Sequence, residues 1–254
     1  MAVVRTPRFW DPLEYANEQP SEECLSRVMK DVADFKANRP PLLHISPVER
    51  DITEIHALIE GTPGTPYEGG FFLFLIKCPP TYPADPPRVR FLTTDAERVR
   101  FHMHLQQTGM VCLSILGTAG RSTWSPVESL SSLLSGIRSL MGQRPYFDAF
   151  QQEFKPGDAE RYHALIQHET IRVAVCDQVE AALKKDGRLP PAFRGIVLRS
   201  FLKYYGKYEE AINANRHMCG KVLTDPILFS HETQLQYKAL RKRLEDLKQQ
   251  VLEK

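Results

Sequence analysis

The sequence predicts an α+β fold in three parts: an N-terminal arm over 1–20, a mixed core over 21–154 and an all-helical extension over 155–254. Three observations carry this expectation. A helical apolar stripe in SEECLSRVMKDVADFK is followed by four short runs of branched and aromatic residues, with turn signals between them. That order is the pattern of an antiparallel meander, not of alternating parallel units. A second apolar stripe follows a cysteine-bearing loop, and from about Lys155 only helical periodicity recurs.

Each element has a local reason. Ser21 is placed to cap the first helix, with Glu22 and Glu23 in its first turn. Pro40 and Pro41 forbid its continuation. Leu25, Val28, Met29 and Val32 form its apolar stripe. Arg27 and Lys30, three apart, form either one outward basic patch or an ordinary solvated face. LLHISPV, ITEIHALIEG, FFLFLIK and RVRFL read as four strands, with PYEGG as the turn before the third. The proline block from Pro79 to Pro87 lacks the donors a central strand needs and reads as an ordered loop.

Beyond the cysteine loop, Val127, Leu130, Leu133, Leu134, Ile137, Leu140 and Met141 mark the central helix. Ser125 is expected to cap it and Pro126 to take its first position. In the extension a helical segment runs to Gly187, and a shorter one follows Pro190 and Pro191. Leu240, Leu244, Leu247 and Val251 give the terminal helix one apolar stripe, suited to docking on the same molecule. In the arm, Phe9 and Trp10 of RFWDP either dock or hang loose.

Composition bounds the function. The chain has 254 residues, 42% hydrophobic and 25% charged, which fits an ordinary globular protein with a sizeable core. A net charge of +2 gives no case for nucleic acid. The start lacks the apolar segment of a secretory signal, and FFLFLI is too short to cross a bilayer, so no membrane partner is expected. Five scattered cysteines do not form a disulfide framework, which points to a reducing cytoplasmic or nuclear compartment.

The residue that needs an explanation is Cys112, in RFHMHLQQTGMVCLSIL. A free cysteine is usually a small buried hydrophobe. A metal site would add His102 and His104, which share one side of an extended segment, but no CxxC pair supplies further ligands. A nucleophile needs a base oriented by a third group, and spacing alone neither supplies nor excludes one. The residues by themselves leave the three readings open.

The series TPYEGGFF, CPPTYPADPPRVRF, F-x-x-x-L-x-x-x-G-x-VCLSIL and WSPVESLSSLLSGIRSLM resembles the core of a ubiquitin-conjugating enzyme from about Ser21 to Phe150. HETIRVAVCD and SFLKYYGKYE resemble the helical extension of the Z-type subgroup, and Ser114 agrees with its VCLSIL pattern. The resemblance implies the ubiquitin-conjugating fold: N-terminal helix, four-stranded antiparallel meander, cysteine loop and central helix. It implies that Cys112 accepts the C-terminus of ubiquitin or a ubiquitin-like modifier as a thioester, from an activating enzyme of the alternative type. Transfer then goes to a substrate lysine or a ligase cysteine. ATP is consumed by the activating enzyme, and no cofactor or metal is implied here. No charged neighbour in sequence depresses the thiol, so an unexceptional thiol is expected, positioned by its partner.

Two departures stand out. The family's usual His-Pro-Asn is His102-Met103-His104, and no asparagine occurs between Asn38 and Asn213. His104 can substitute as a donor, support the loop, or have no role. A fold-retaining binding or scaffold variant with impaired transfer is therefore the alternative function. The acidic residue that relatives place near the incoming lysine has one candidate, Asp148, which also reads as a solvated loop residue. By the resemblance, activating-enzyme contacts map to Arg27 and Lys30, and ligase contacts to Ala84, Ser125 and Pro126. Ala84 stands where relatives carry a large apolar anchor, so ring-type ligases are expected to engage weakly. The extension from about Asp158 is expected to pack on the core and bias the choice of activating enzyme or modifier.

Overall fold

In the computed structural model, residues 8–185, 187–229 and 232–254 are described; residues 1–7 of the predicted arm lie outside them. Helix α1 spans Glu22–Ala37, and Ser21 caps it by accepting a hydrogen bond from the Cys24 backbone N–H at 3.1 Å. Its buried face is Cys24, Val28, Asp31, Val32 and Phe35. Met29, expected in that stripe, points outward and is 53% exposed. Four antiparallel strands follow in meander order: β1 Leu43–Val48, β2 Asp51–Glu60, β3 Phe71–Lys77 and β4 Arg88–Phe91. This is the predicted α+β core.

Strand β3 is buried at all seven positions. Phe72, Phe74 and Ile76 join one core with Ile55, Ala57 and Ile59 of β2 and with α1. Phe71, Leu73 and Leu58 of β2 join a second core built by the C-terminal helices. The sheet is therefore covered on both faces, which is why FFLFLI is continuously apolar instead of alternating. The proline block is an ordered loop, with Tyr82 buried and donating its hydroxyl to the Asp31 carboxylate.

The central helix α2 spans Leu130–Ser139, later than the expected start at Ser125–Pro126. Ser129 is the cap, in a reciprocal pair with Ser132: each backbone N–H reaches the other's hydroxyl, at 2.8 and 3.2 Å. The reason lies in Arg27. Its guanidinium takes the carbonyls of Pro126, at 2.6 Å, and Glu128, and so holds 126–128 as a braced turn outside the helix. Val127 is consequently 86% exposed.

The extension contains α3 Asp158–Glu169, a wider π-helical run Thr170–Asp177, and α4 Gln178–Lys184, all continuous. Lys185 in the left-handed region ends this run, two residues before the expected Gly187. The segment after Pro190 is α5, Pro191–Ala214, a helix of 24 residues and not the short one expected. The extension is mainly but not entirely helical: a two-stranded antiparallel ribbon, β5 Val222–Thr224 with β6 Glu232–Gln234, leads to α6, Tyr237–Leu252. The predicted stripe of α6, Leu240, Leu244, Leu247 and Val251, is buried in the second core.

Specific bonds tie the extension to the sheet. Tyr208 of α5 donates to the Gly69 carbonyl at 2.8 Å. Gly69 has φ +71, and a Cβ there would lie 2.7 Å from the Tyr208 hydroxyl, so only glycine suits both the turn and the contact. Arg172 of the π-helical run bridges Glu169 at 2.5 Å and Asp95, in the loop after β4, at 2.8 Å. His168 accepts from the Gln236 N–H at 3.1 Å and faces Glu169 at 2.9 Å, which fixes its proton on Nδ1. Truncating the 1%-exposed Leu244 to alanine leaves a cavity in the second core. We expect Leu244→Ala to lower the unfolding free energy by about 2–5 kcal/mol in urea titrations.

Candidate active site

The segment after β4 folds into a narrow ladder. Leu105 bridges Val111 in antiparallel fashion, and Arg90 of β4 bridges Met110. The turn at its tip closes through Gly109 N–H to Gln106 O and Gln106 N–H to Met110 O, both 3.0 Å. Gly109 sits at φ +91, and a Cβ would meet the Phe91 carbonyl at 2.9 Å, so glycine lets the turn lie flat on β4. Leu105 and Val111 face the core and are buried. By the alternation of such a ladder, His104, Gln106, Met110 and Cys112 share the opposite face.

Cys112 is held at this point by its backbone and is a partly buried free cysteine. Its N–H donates to His104 O at 2.8 Å. Thr118 Oγ1 donates to Val111 O at 2.6 Å and accepts from Leu113 N–H at 2.9 Å, bracing the chain on both sides of the cysteine. The Gln106 amide donates from Nε2 to Cys112 Sγ at 3.3 Å. Burial pushes the thiol above its ordinary pKa, and the Gln106 hydrogen bond and the Arg100 charge oppose that shift. The expected unexceptional thiol is thus a slightly reluctant one. Of the other cysteines, Cys24, Cys78 and Cys176 are buried, and Cys219 is exposed.

His102 lies beneath the ladder, fully buried, and accepts from the His104 N–H at 3.2 Å through Nδ1. Its proton is therefore on Nε2, which finds no hydrogen-bond partner; Asp148 Oδ2 is 3.4 Å away, off the direction a hydrogen bond needs. Burial, with His104 and Arg100 nearby, pushes His102 down to about 3, so the ring is neutral. The His104 ring packs 5.3 Å from that of His102, and among the described residues it makes no side-chain hydrogen bond. Burial lowers its pKa as well, against the raising effect of Asp148. Asp148 is raised by burial. Among the described residues no group of three or more His, Cys, Asp or Glu could hold a metal ion.

The other singled-out residues gather at one end of the core. Arg27 is paired with Asp31 at 2.9 Å and bound to the Pro126 carbonyl, so the expected two-residue basic patch leaves only Lys30 fully free-standing on the surface. Trp124 Nε1 donates to the Pro83 carbonyl at 2.8 Å, and its ring lies 5.9 Å from Tyr82. The proline loop carrying exposed Ala84 therefore abuts the Ser125–Pro126 turn. In the arm, Trp10 is buried while Phe9 is 59% exposed, and buried Asp11 pairs with Arg90 and, at 3.0 Å, Arg8.

Sequence reasoning missed Gln106 and Thr118. Once Leu105 and Val111 are recognised as core positions around a Gly109 turn, the ladder puts position 104 opposite 112 and position 106 diagonal to it. That alternation was the available signal for Gln106. Nothing local marks Thr118.

The neutral His102 generates a pH prediction. The unfolded chain protonates its histidines near pH 6.5, whereas folded His102 stays neutral to about 3. Stability from this group is full above pH 6.5 and is lost as pH falls through that window. We expect His102→Asn, which keeps an acceptor for the His104 N–H, to remove about 1.4 kcal/mol per pH unit from the slope of urea stability between pH 6 and 4. An unchanged slope would contradict it.

Comparison with known proteins agrees with this geometry. The family model for ubiquitin-conjugating enzymes matches residues 27–165. A protein named ubiquitin-conjugating enzyme E2 Z from Xenopus tropicalis is 42% identical over 256 residues, covering 99% of this chain and 80% of its own length. The human protein of that name is 43% identical over 250 residues, covering 96% of this chain and 69% of its own. A probable ubiquitin-conjugating enzyme, protein 17 of Caenorhabditis elegans, is 37% identical over 169 residues, 61% of this chain and 23% of its own. With the meander, the cysteine ladder and near-complete coverage by such relatives, this chain belongs to the ubiquitin-conjugating enzyme family.

Proposed function

We propose that this transferase carries ubiquitin or a ubiquitin-like modifier as a thioester on Cys112. The modifier arrives from an activating enzyme of the alternative type and leaves to a substrate lysine or a ligase. The observation that carries the reading is a partly buried free cysteine on a ladder whose main chain is fastened by hydrogen bonds on both sides of it. Thiol-to-thiol exchange needs little more than access to the sulfur and a thiolate at the moment of attack. The raised pKa of Cys112 places the burden on the activating enzyme, whose own thioester must be brought to the sulfur.

In this reading Lys30, on exposed α1, meets the activating enzyme, and Arg27 shapes that surface by holding the 126–128 turn. Ala84, Ser125 and Pro126 face the ligase. Asp148, its pKa raised by burial and its side chain 45% exposed beside His102, is the residue assigned to meet an incoming lysine. The extension acts through its fixed contacts with the sheet, chiefly Tyr208 to Gly69 and Arg172 to Asp95. The compartment is cytoplasmic or nuclear, where free thiols persist.

Incubation with modifier, ATP and a panel of activating enzymes tests the reading. A thiol-reducible adduct is expected on the wild type and lost in Cys112→Ala, while Cys112→Ser should give an adduct that resists thiols. If no modifier charges the protein, the binding or scaffold alternative replaces it. The small residue at Ala84 makes a second expectation. Ala84→Phe should strengthen binding to ring-type ligases by about tenfold, ~1.4 kcal/mol in titration calorimetry. Unchanged affinity would place the ligase surface elsewhere.

A further inference from the structure

We propose that the side-chain amide of Gln106 is a catalytic donor of this site, taking the place of the asparagine that the sequence lacks near the cysteine. The proposal rests on the thioester reading of Cys112.

The placement is direct. Gln106 Nε2 donates to the reacting atom itself, Cys112 Sγ, at 3.3 Å. Its backbone is pinned in both directions at the ladder's turn, N–H to Met110 O and C=O from Gly109 N–H, so the side chain starts from a fixed point. The position is half-buried and diagonal to the cysteine on the same face. His104, directly opposite, contributes its main-chain carbonyl to the Cys112 N–H, but its ring is turned against His102. Between the two residues that replace the missing asparagine's neighbourhood, only the glutamine aims a donor at the sulfur.

The chemistry uses that donor twice. In aminolysis the neutral lysine amine attacks the thioester carbonyl carbon, and the carbonyl π pair moves to the oxygen. As the oxyanion re-forms the carbonyl, the C–S bond breaks, the electron pair leaves with Cys112 sulfur, and the extra amine proton passes to water, which returns one proton to the departed thiolate. The products are an isopeptide and the free thiol. The carbonyl oxygen lies one bond beyond the carbon attached to sulfur, so a small turn of the Gln106 side chain brings Nε2 to the about 2.7–3.1 Å at which an oxyanion donor acts. In the leaving step the same N–H stabilises the departing thiolate. The second role matters here because burial disfavours the thiolate, with Arg100 the charged group acting against that penalty.

Two measurements test it. The first needs no activating enzyme: the pH dependence of iodoacetamide alkylation at Cys112, with the other four cysteines replaced by serine or alanine, reads the thiol pKa. Gln106→Leu should move it upward, and Gln106→Glu, which keeps the shape but offers only acceptors when ionised, should do so further. The second starts from equally charged protein and follows single-turnover discharge to free lysine, which should fall about 100-fold in either variant. Thermal melting reports whether each variant folds; if Gln106→Leu does not, Gln106→Glu carries both measurements. An unchanged thiol pKa, or discharge within twofold of wild type, overturns the proposal. So does a full loss in His104→Ala with none in Gln106→Leu, which would assign the donor to the imidazole. If the wild type never charges, the thioester reading fails and the alkylation profile still decides whether Gln106 acts on the sulfur.

Discussion

Everything in this molecule depends on one strand that has no free face. Because Phe72, Phe74 and Ile76 face one core and Phe71 and Leu73 the other, β3 cannot shift register by a residue without exchanging two sets of buried aromatics and aliphatics. Its partner β4 is fixed in turn through Phe74↔Phe91 and Ile76↔Val89. The cysteine ladder then hangs on β4, through Phe91 N–H to Gly109 O at 2.8 Å and the Arg90–Met110 bridge. The position of Cys112 is thus set by a chain of backbone bonds that begins in the middle of the molecule. The helical extension is the outer wall that makes β3 doubly buried, so its packing and the site's geometry share a cause.

The same burial controls the electrostatics around the sulfur. His102, His104 and Cys112 are all shifted toward their neutral forms, chiefly through loss of water. Asp148 is shifted the same way. Neither imidazole is hydrogen-bonded to the sulfur: His102 takes the His104 N–H and the His104 ring packs on His102, so among the described residues no base is held against Cys112. The site is suited to exchanging an acyl group that a partner delivers, not to activating its own nucleophile as a hydrolase does. That is consistent with a carrier that must keep its thioester from water until an amine arrives.

Much of the architecture was legible because it follows local rules. The Ser21 cap, the four strands and the α6 stripe are set by residues within one or two turns of each other. Where the sequence misled, a distant group had intervened. Ser125 and Pro126 have the right chemistry to open α2, but Arg27, about a hundred positions earlier, takes the carbonyls of that turn and moves the start to Ser129. Met29 fits the helical period of α1, yet the sheet lies on the side of Cys24 and Asp31, where Tyr82 supplies a hydroxyl to the buried carboxylate. In the candidate site, the motifs around Cys112 single that residue out in the sequence. Nothing singles out Gln106, because its hydrogen bond to the sulfur comes from a cross-ladder diagonal that exists only once the turn has formed.

The replacement of an asparagine by His104 and Gln106 also has a structural logic. A short side chain can serve as donor only if the backbone carrying it lies close to the reacting carbonyl. Here the backbone at 104 is already committed: its N–H goes to His102 and its carbonyl to Cys112. The imidazole on that backbone packs with its ring centre 5.3 Å from that of His102. The donor must then come from a longer side chain further along the same face, and two residues on is the first position that the pleat turns the same way. Glutamine there reaches the sulfur with one more methylene than asparagine has, at a greater loss of side-chain freedom on ordering. The two pinned backbone bonds at Gln106 limit that loss by fixing where the side chain begins. On this argument the two substitutions are one change: moving the donor from 104 to 106 frees 104 to complete the packing over a neutral, buried histidine.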